Sequence, residues 1–143
     1  MSGTENRKRW MAVLARASRA EIEALAGPEL PAHELMKAPE TGTVMVEGRA
    51  GGAGRRFNLG EATMTRCVVR FSDGAMGFSY ALGRDGRKAR LAAILDARLQ
   101  RESDGGLRDA VTRLAATQAA ARDLSSRKAA ATKVDFFTLV RGA

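Results

Sequence analysis

The side chains in this sequence best equipped for chemistry are one histidine, one cysteine and a set of arginines around a glycine run. His33 lies in a connector that carries all three prolines, Pro28, Pro31 and Pro39. General acid–base work is the chemistry it could do, and a surface or capping role is the structural alternative. Cys67 alternates with Thr and Val residues, as in a strand, with no His or helix N-terminus evident nearby to activate it. A buried, inert thiol is therefore expected. One His and one Cys cannot supply a zinc or iron–sulfur ligand set, so no metal site is expected. A Ser-His-Asp arrangement would have to pass through His33, and no strand-turn-helix nucleophile elbow is present. No catalytic residue is assigned.

The glycine run is the more productive signal. Gly48 to Gly54 is followed by Arg55 and Arg56. Backbone amides of Gly51, Gly52 and Gly54 could converge on an anion, with Arg49 and Arg56 adding bidentate forks. The run lacks the Gly-Lys-Ser/Thr of a P-loop and does not match a dinucleotide fingerprint. A plain strand-connecting loop remains the alternative. Arg66 and Arg70 share one face of a strand, and Arg84 stands at a strand-to-helix turn. Arg49, Arg56, Arg66 and Arg84 are thus the candidate anion ligands, against a solvated sheet face as the other reading.

Helices and strands must position these groups. Trp10, Val13, Leu14 and Ala17 recur at helical spacing. Ser18 and Glu21 form a capping-box pattern that opens a short second helix, stopped near Gly27-Pro28. Thr43 to Glu47, Arg55 to Leu59, Ala62 to Phe71 and Met76 to Tyr80 read as strands. They imply an antiparallel sheet of three or four strands, with Met76, Phe78 and Tyr80 toward the core. Asp85 is a candidate N-cap for a helix carrying Leu91, Ile94, Leu95 and Leu99. A long Ala-rich helix follows from about 107 to 130, its stripe (Leu107, Val111, Leu114, Ala121, Leu124) so thin that it needs a broad partner surface. The chain closes on an apolar segment, 133–143, expected to be extended and to dock on a partner through Val134, Asp135, Phe136, Phe137, Leu139, Val140 and Arg141, or else to fold back on its own sheet as an added strand while the long helix meets the partner. The expected fold is a single α+β domain over 1–143.

Composition narrows the role. The sequence has 143 residues, 45% of them hydrophobic, and a formal charge of +8. The charge is local: residues 1–48 carry −1, 49–90 carry +6 and 91–143 carry +3. This favours an anion-attracting patch in the middle third over a chain that is basic throughout. Arg outnumbers Lys 19 to 5, a bias that codon usage in a GC-rich genome also produces. Seven aromatics, most at core-like positions, argue against single-strand nucleic-acid binding. No run is long enough to cross a bilayer, and the N-terminus lacks the pattern of a secretory signal, so a cytoplasmic location is expected.

Taken in order, several segments resemble one family. They are Arg9-Trp10-Met11-Ala12-Val13-Leu14-Ala15, Glu40-Thr41-Gly42, Arg49 to Gly54, Gly60-Glu61-Ala62-Thr63-Met64-Thr65-Arg66, Gly77-Phe78-Ser79-Tyr80, Gly83-Arg84-Asp85 and Val134 to Gly142. The chain resembles the PhnG family, small subunits of the bacterial carbon–phosphorus lyase core complex, over nearly its whole length. That resemblance implies a two-fold symmetric hetero-oligomer with PhnI, PhnH and PhnJ, functionally linked to PhnL. It also implies a role in forming α-D-ribose 1-methylphosphonate 5-triphosphate from ATP and methylphosphonate, with release of adenine. In that picture the larger subunits carry the chemistry, and ATP is a substrate of the complex rather than a cofactor of this chain. Three roles follow: an accessory scaffold subunit, a direct donor of phosphate-binding arginines to the active site, or a basic nucleic-acid-binding module.

Overall fold

The computed structural model describes residues 3–49, 56–101 and 105–142, excluding the side chains of 46–49, 56–59 and 129–142. Its elements are α1 (Gly3–Arg16), α2 (Arg19–Ala26), β1 (His33–Arg49), β2 (Arg56–Phe71), β3 (Met76–Leu82), α3 (Gly86–Leu99) and α4 (Gly105–Gly142). The three strands form an antiparallel meander in the order β1-β2-β3. The fold is α+β, with helices on one face of the sheet.

Local signals set the helix boundaries as expected. Ser18 Oγ accepts from the Glu21 amide at 3.2 Å, and the Glu21 carboxylate accepts from the Ser18 amide at 2.9 Å. Gly27, at φ 73°, stops α2 where an L side chain would be strained. Asp85 caps α3 by accepting from the Lys88 amide at 3.1 Å.

Helix α3 is the centre of the molecule. The stripe of Leu91, Ile94, Leu95 and Leu99 is buried, but so are Ala89, Ala92, Ala93, Asp96 and Ala97. The helix lies between the sheet and the N-terminal helices, so nearly its whole circumference is covered. On the sheet side it meets Thr65, Cys67, Val69 and Phe71 of β2, all buried.

Strand β3 reverses the expected faces. Gly77, Ser79 and Ala81 point to the core, whereas Met76 and Phe78 are half-buried and Tyr80 is exposed on the other side. The cause is the close approach of α3. A Cβ on Gly77 would lie 1.9 Å from the Ala93 carbonyl oxygen, and Ser79 Oγ donates to the Ala89 carbonyl at 2.6 Å. Small residues fit that contact and aromatic ones do not.

The sheet has three strands because the two segments 55–59 and 62–71 join into one. Gly60, at φ 146°, lets β2 pass the irregularity opposite Val46 and Glu47 without ending. Strand β1 begins at His33 rather than Thr43. Pro39 is accommodated between register shifts on an edge strand, where its missing N–H is tolerated. Beyond β3, the stretch Thr43–Arg49 paired with Arg56–Thr63 continues as a two-stranded ribbon.

The C-terminal segment is not extended. Helix α4 runs on through Gly142. No Gly or Pro interrupts it between Leu107 and Arg141. The β-branched Val134, Thr138 and Val140 each cost a propagating helix well under about 1 kcal/mol, too little to end it. Leu107 and Val111 are buried and Leu114 is partly buried, but Ala121 and Leu124 are exposed. The body therefore holds only the first turns of this helix.

Candidate anion-binding and docking surfaces

The register decides which candidate arginines meet. Arg49 and Arg56 are paired directly across the ribbon, which brings their backbones together. Gly51, Gly52 and Gly54 lie outside the described residues. Arg66 is ten residues further along β2, roughly 33 Å at about 3.3 Å per residue. It is exposed and paired with Glu40 on one side and Tyr80 on the other. Arg84, also exposed, follows Gly83, whose amide donates to the Thr63 carbonyl at 2.9 Å. That places it roughly 23 Å from the ribbon end by the same rise. The structure thus brings Arg49 and Arg56 together and leaves Arg66 and Arg84 as separate exposed cations. Arg70, on the same face as Arg66, is engaged with Glu34 at 2.9 Å.

Among the described residues, α1 reaches the outer face of the sheet along the β3 edge, where the Arg7 guanidinium lies 5.4 Å from the Phe78 ring, and no helix lies over the rest of that face. Tyr80 is 47%, Leu82 42% and Val44 41% exposed, and the register places all three on that face with Met64. The partner-binding residues named for the C-terminal segment occupy the last turns of α4, and their side chains lie outside the described residues. Upstream of them, every side chain from Ala119 to Lys128 is exposed.

His33 is tied into the fold. Its Nδ1–H donates to the Pro31 carbonyl at 2.8 Å, and Nε2 accepts from Arg90 at 2.9 and 3.0 Å. Both ring nitrogens are engaged, as suits a structural imidazole holding the start of β1 to α3. Cys67 is buried on the core side of β2, and burial pushes its thiol above the ordinary range, with Arg90 partly opposing. Such a thiol is inert as a nucleophile.

The most elaborate polar cluster surrounds Asp96, which is fully buried mid-helix in α3. It accepts from Arg7 at 2.8 and 3.3 Å, Trp10 Nε1 at 2.8 Å, the Phe78 amide at 2.9 Å and Gln100 Nε2 at 3.3 Å. The hydrogen bond to this carboxylate raises the pKa of Arg7. The Phe78 amide belongs to the free edge of β3, so Asp96 closes that edge while α1 covers it. Gln100 adds a second bond there, to the Met76 carbonyl at 2.7 Å. A cleft of about 760 Å³ opens beside this cluster, lined in part by Arg7, Arg9 and Arg108. Arg7 is committed to Asp96, and Arg108 donates to the Leu99 and Arg101 carbonyls. Arg9 is exposed, and Arg108, whose partners are neutral carbonyls, keeps its charge in the cleft.

With these surfaces in place, two comparisons are informative. A family model described as phosphonate metabolism protein PhnG matches residues 5–142. The chain belongs to the PhnG family. It is similar to a protein of Rhizobium meliloti (strain 1021) named alpha-D-ribose 1-methylphosphonate 5-triphosphate synthase subunit PhnG. The two are 42% identical over 144 residues, covering 99% of this chain and 92% of the relative. The PhnG match takes in both the glycine run and the C-terminal helix. The polar cluster at Asp96 escaped sequence reasoning. Its one local signal is an acid set inside the apolar run Leu91 to Leu99. No helix among the described residues is long and apolar enough to cross a membrane.

Proposed function

We propose that this chain is an accessory, non-catalytic subunit of the cytoplasmic assembly that forms α-D-ribose 1-methylphosphonate 5-triphosphate from ATP and methylphosphonate, releasing adenine. It takes no cofactor of its own, and its partners are the PhnI, PhnH and PhnJ subunits, with PhnL acting alongside. The observation that carries this reading is the full-length similarity to a protein named as a subunit of that synthase. The shape of the chain supports it: a 38-residue helix packs on the body only through its first turns, and a sheet face carries uncovered apolar side chains. A subunit that buries such surfaces on partners has physical reason to leave them bare when alone. Co-expression with PhnI, PhnH and PhnJ followed by native mass measurement tests the reading. A complex containing this chain is expected, with adenine release lost when the chain is omitted. Recovery of full adenine release without it would overturn the proposal.

A second reading is favoured by the pairing of Arg49 with Arg56. Two arginines at opposed backbone positions supply the residue type that suits a polyphosphate, so this chain would lend phosphate-binding arginines to the active site. Arg49→Ala and Arg56→Ala, in complexes that still assemble, then lower adenine release by raising the KM for ATP. An unchanged KM removes this reading.

A further inference from the structure

We propose that the cleft between α1 and the first turns of α4 binds a small organic phosphate or phosphonate. Its doubly charged head is held by Arg9 and Arg108, and its apolar body lies along Trp10. The site does not involve the Arg49–Arg56 pair and stands independently of the subunit reading.

Contacts within the single chain fix the walls of the cleft. Helix α1 is tied to α3 through Arg7 and Trp10, both bonded to Asp96. The start of α4 is seated by buried Leu107 and Val111, and Gln118 donates to the Val13 carbonyl of α1 at 3.0 Å. The space between the two helices, about 760 Å³, falls within the roughly 300–1,000 Å³ of small-molecule pockets.

Charge selects the head group. Arg7 reaches the cleft, but its charge is balanced by the buried Asp96. Arg9 is exposed and makes no ion pair or hydrogen bond among the described residues. Arg108 spends Nε and Nη2 on the neutral Leu99 and Arg101 carbonyls, which leaves its charge without a counterion. Among the described residues no Asp or Glu lines the cleft. Two uncompensated guanidinium groups therefore stand on two different helices. A phosphoryl or phosphonyl group, with a charge of about −1.5 to −2 at pH 7 and three acceptor oxygens, balances both. A single carboxylate balances one.

The rest of the lining selects an apolar body. Trp10, Val13, Leu99, Val111 and Ala115 supply it. The Trp10 indole N–H is spent on Asp96 at 2.8 Å, so the ring offers the cleft apolar surface rather than a donor. Inorganic phosphate would satisfy the arginines and leave this surface wet, whereas benzoate would cover it and leave one charge unmatched. An aryl phosphonate or a nucleoside monophosphate does both.

Trp10 is the only tryptophan in the chain, so its emission reports on the cleft directly. The full chain is titrated with phenylphosphonate, AMP, inorganic phosphate and benzoate, followed by Trp10 fluorescence and by calorimetry. Phenylphosphonate or AMP is expected to bind at least about 10-fold more tightly than either partial ligand. The tighter of the two assigns the source as a phosphonate or a nucleotide. Arg9→Gln removes an exposed charge, and Thr112→Glu sets a carboxylate in the lining. The first should weaken the preferred ligand by about 5-fold and the second by about 10-fold or more, each with the urea midpoint of wild type. Absence of both a fluorescence change and a heat of binding with phenylphosphonate and AMP overturns the site. Benzoate or inorganic phosphate binding as tightly as these two overturns the ligand class. Affinity unchanged in both variants places the ligand outside the cleft and overturns the inference as well.

Discussion

Asp96 has no exposure to solvent and takes hydrogen bonds from α1, β3 and the residue that follows α3. Removing it leaves the Arg7 guanidinium and the Trp10 and Phe78 donors without their acceptor. The Arg7 side chain is 34% exposed and can be re-solvated, so the loss is carried by the Trp10 and Phe78 donors, about 1–3 kcal/mol. Asp96→Ala is therefore expected to lower the urea unfolding free energy by about that amount, whereas Trp10→Phe, which deletes one donor among several, costs about 1 kcal/mol. Cys67 gives a different readout. Its folded pKa is raised above that of the unfolded thiol, so the unfolded chain loses its proton first as pH rises. The contribution is fully present below the ordinary thiol value near about 8.5 and is lost as pH climbs from there through the folded pKa. Wild type should lose stability faster than Cys67→Ala over that alkaline range, measured as the difference between their urea midpoints. The thiol's burial was legible in the sequence, because an alternating Thr/Val/Cys run carries its own period. The Asp96 cluster was not, since Arg7 and Trp10 lie more than eighty positions away and nothing local announces the contact.

At the scale of elements, the features readable in advance were those decided within a few residues. The Ser18 capping box, the Gly27 stop and the Asp85 N-cap each involve neighbours within four positions. The faces of β3 were not readable that way. Alternation of Met76, Phe78 and Tyr80 marks one face of the strand without saying which helix approaches which side. Closeness of α3 settles it, by admitting only Gly77, Ser79 and Ala81. Gly77→Ala would place a methyl 1.9 Å from the Ala93 carbonyl oxygen, against backbone that cannot rotate away. A destabilisation of about 3 kcal/mol is expected from such overpacking, read by chemical denaturation. Pairing across β1 and β2 likewise governs the candidate arginines: their residue type was evident, but the distance between Arg56 and Arg66 is fixed by one uninterrupted strand.

For the molecule as a whole, α4 separates what folds the chain from what occupies it with others. Packing of this helix on the body is made by Leu107, Val111, Leu114 and Gln118, the last donating to the Val13 carbonyl at 3.0 Å. From Ala119 to Lys128 the side chains are exposed, and the backbone continues as helix to Gly142. A helix with few bulky residues gains little from propensity alone, so its far half needs a surface to lie on. Ending the chain after Ser125 removes Phe136, Phe137, Leu139 and Val140 without touching those body contacts. The shortened protein is accordingly expected to unfold cooperatively within about 0.5 kcal/mol of the full chain, as substitutions away from packed features do. The same truncation should sharply reduce recovery of the complex with PhnI, PhnH and PhnJ on size-exclusion chromatography with mass detection. A truncated chain that assembles as well as the full one would leave the sheet side, with the uncovered part of its outer face, as the surface through which this subunit is held.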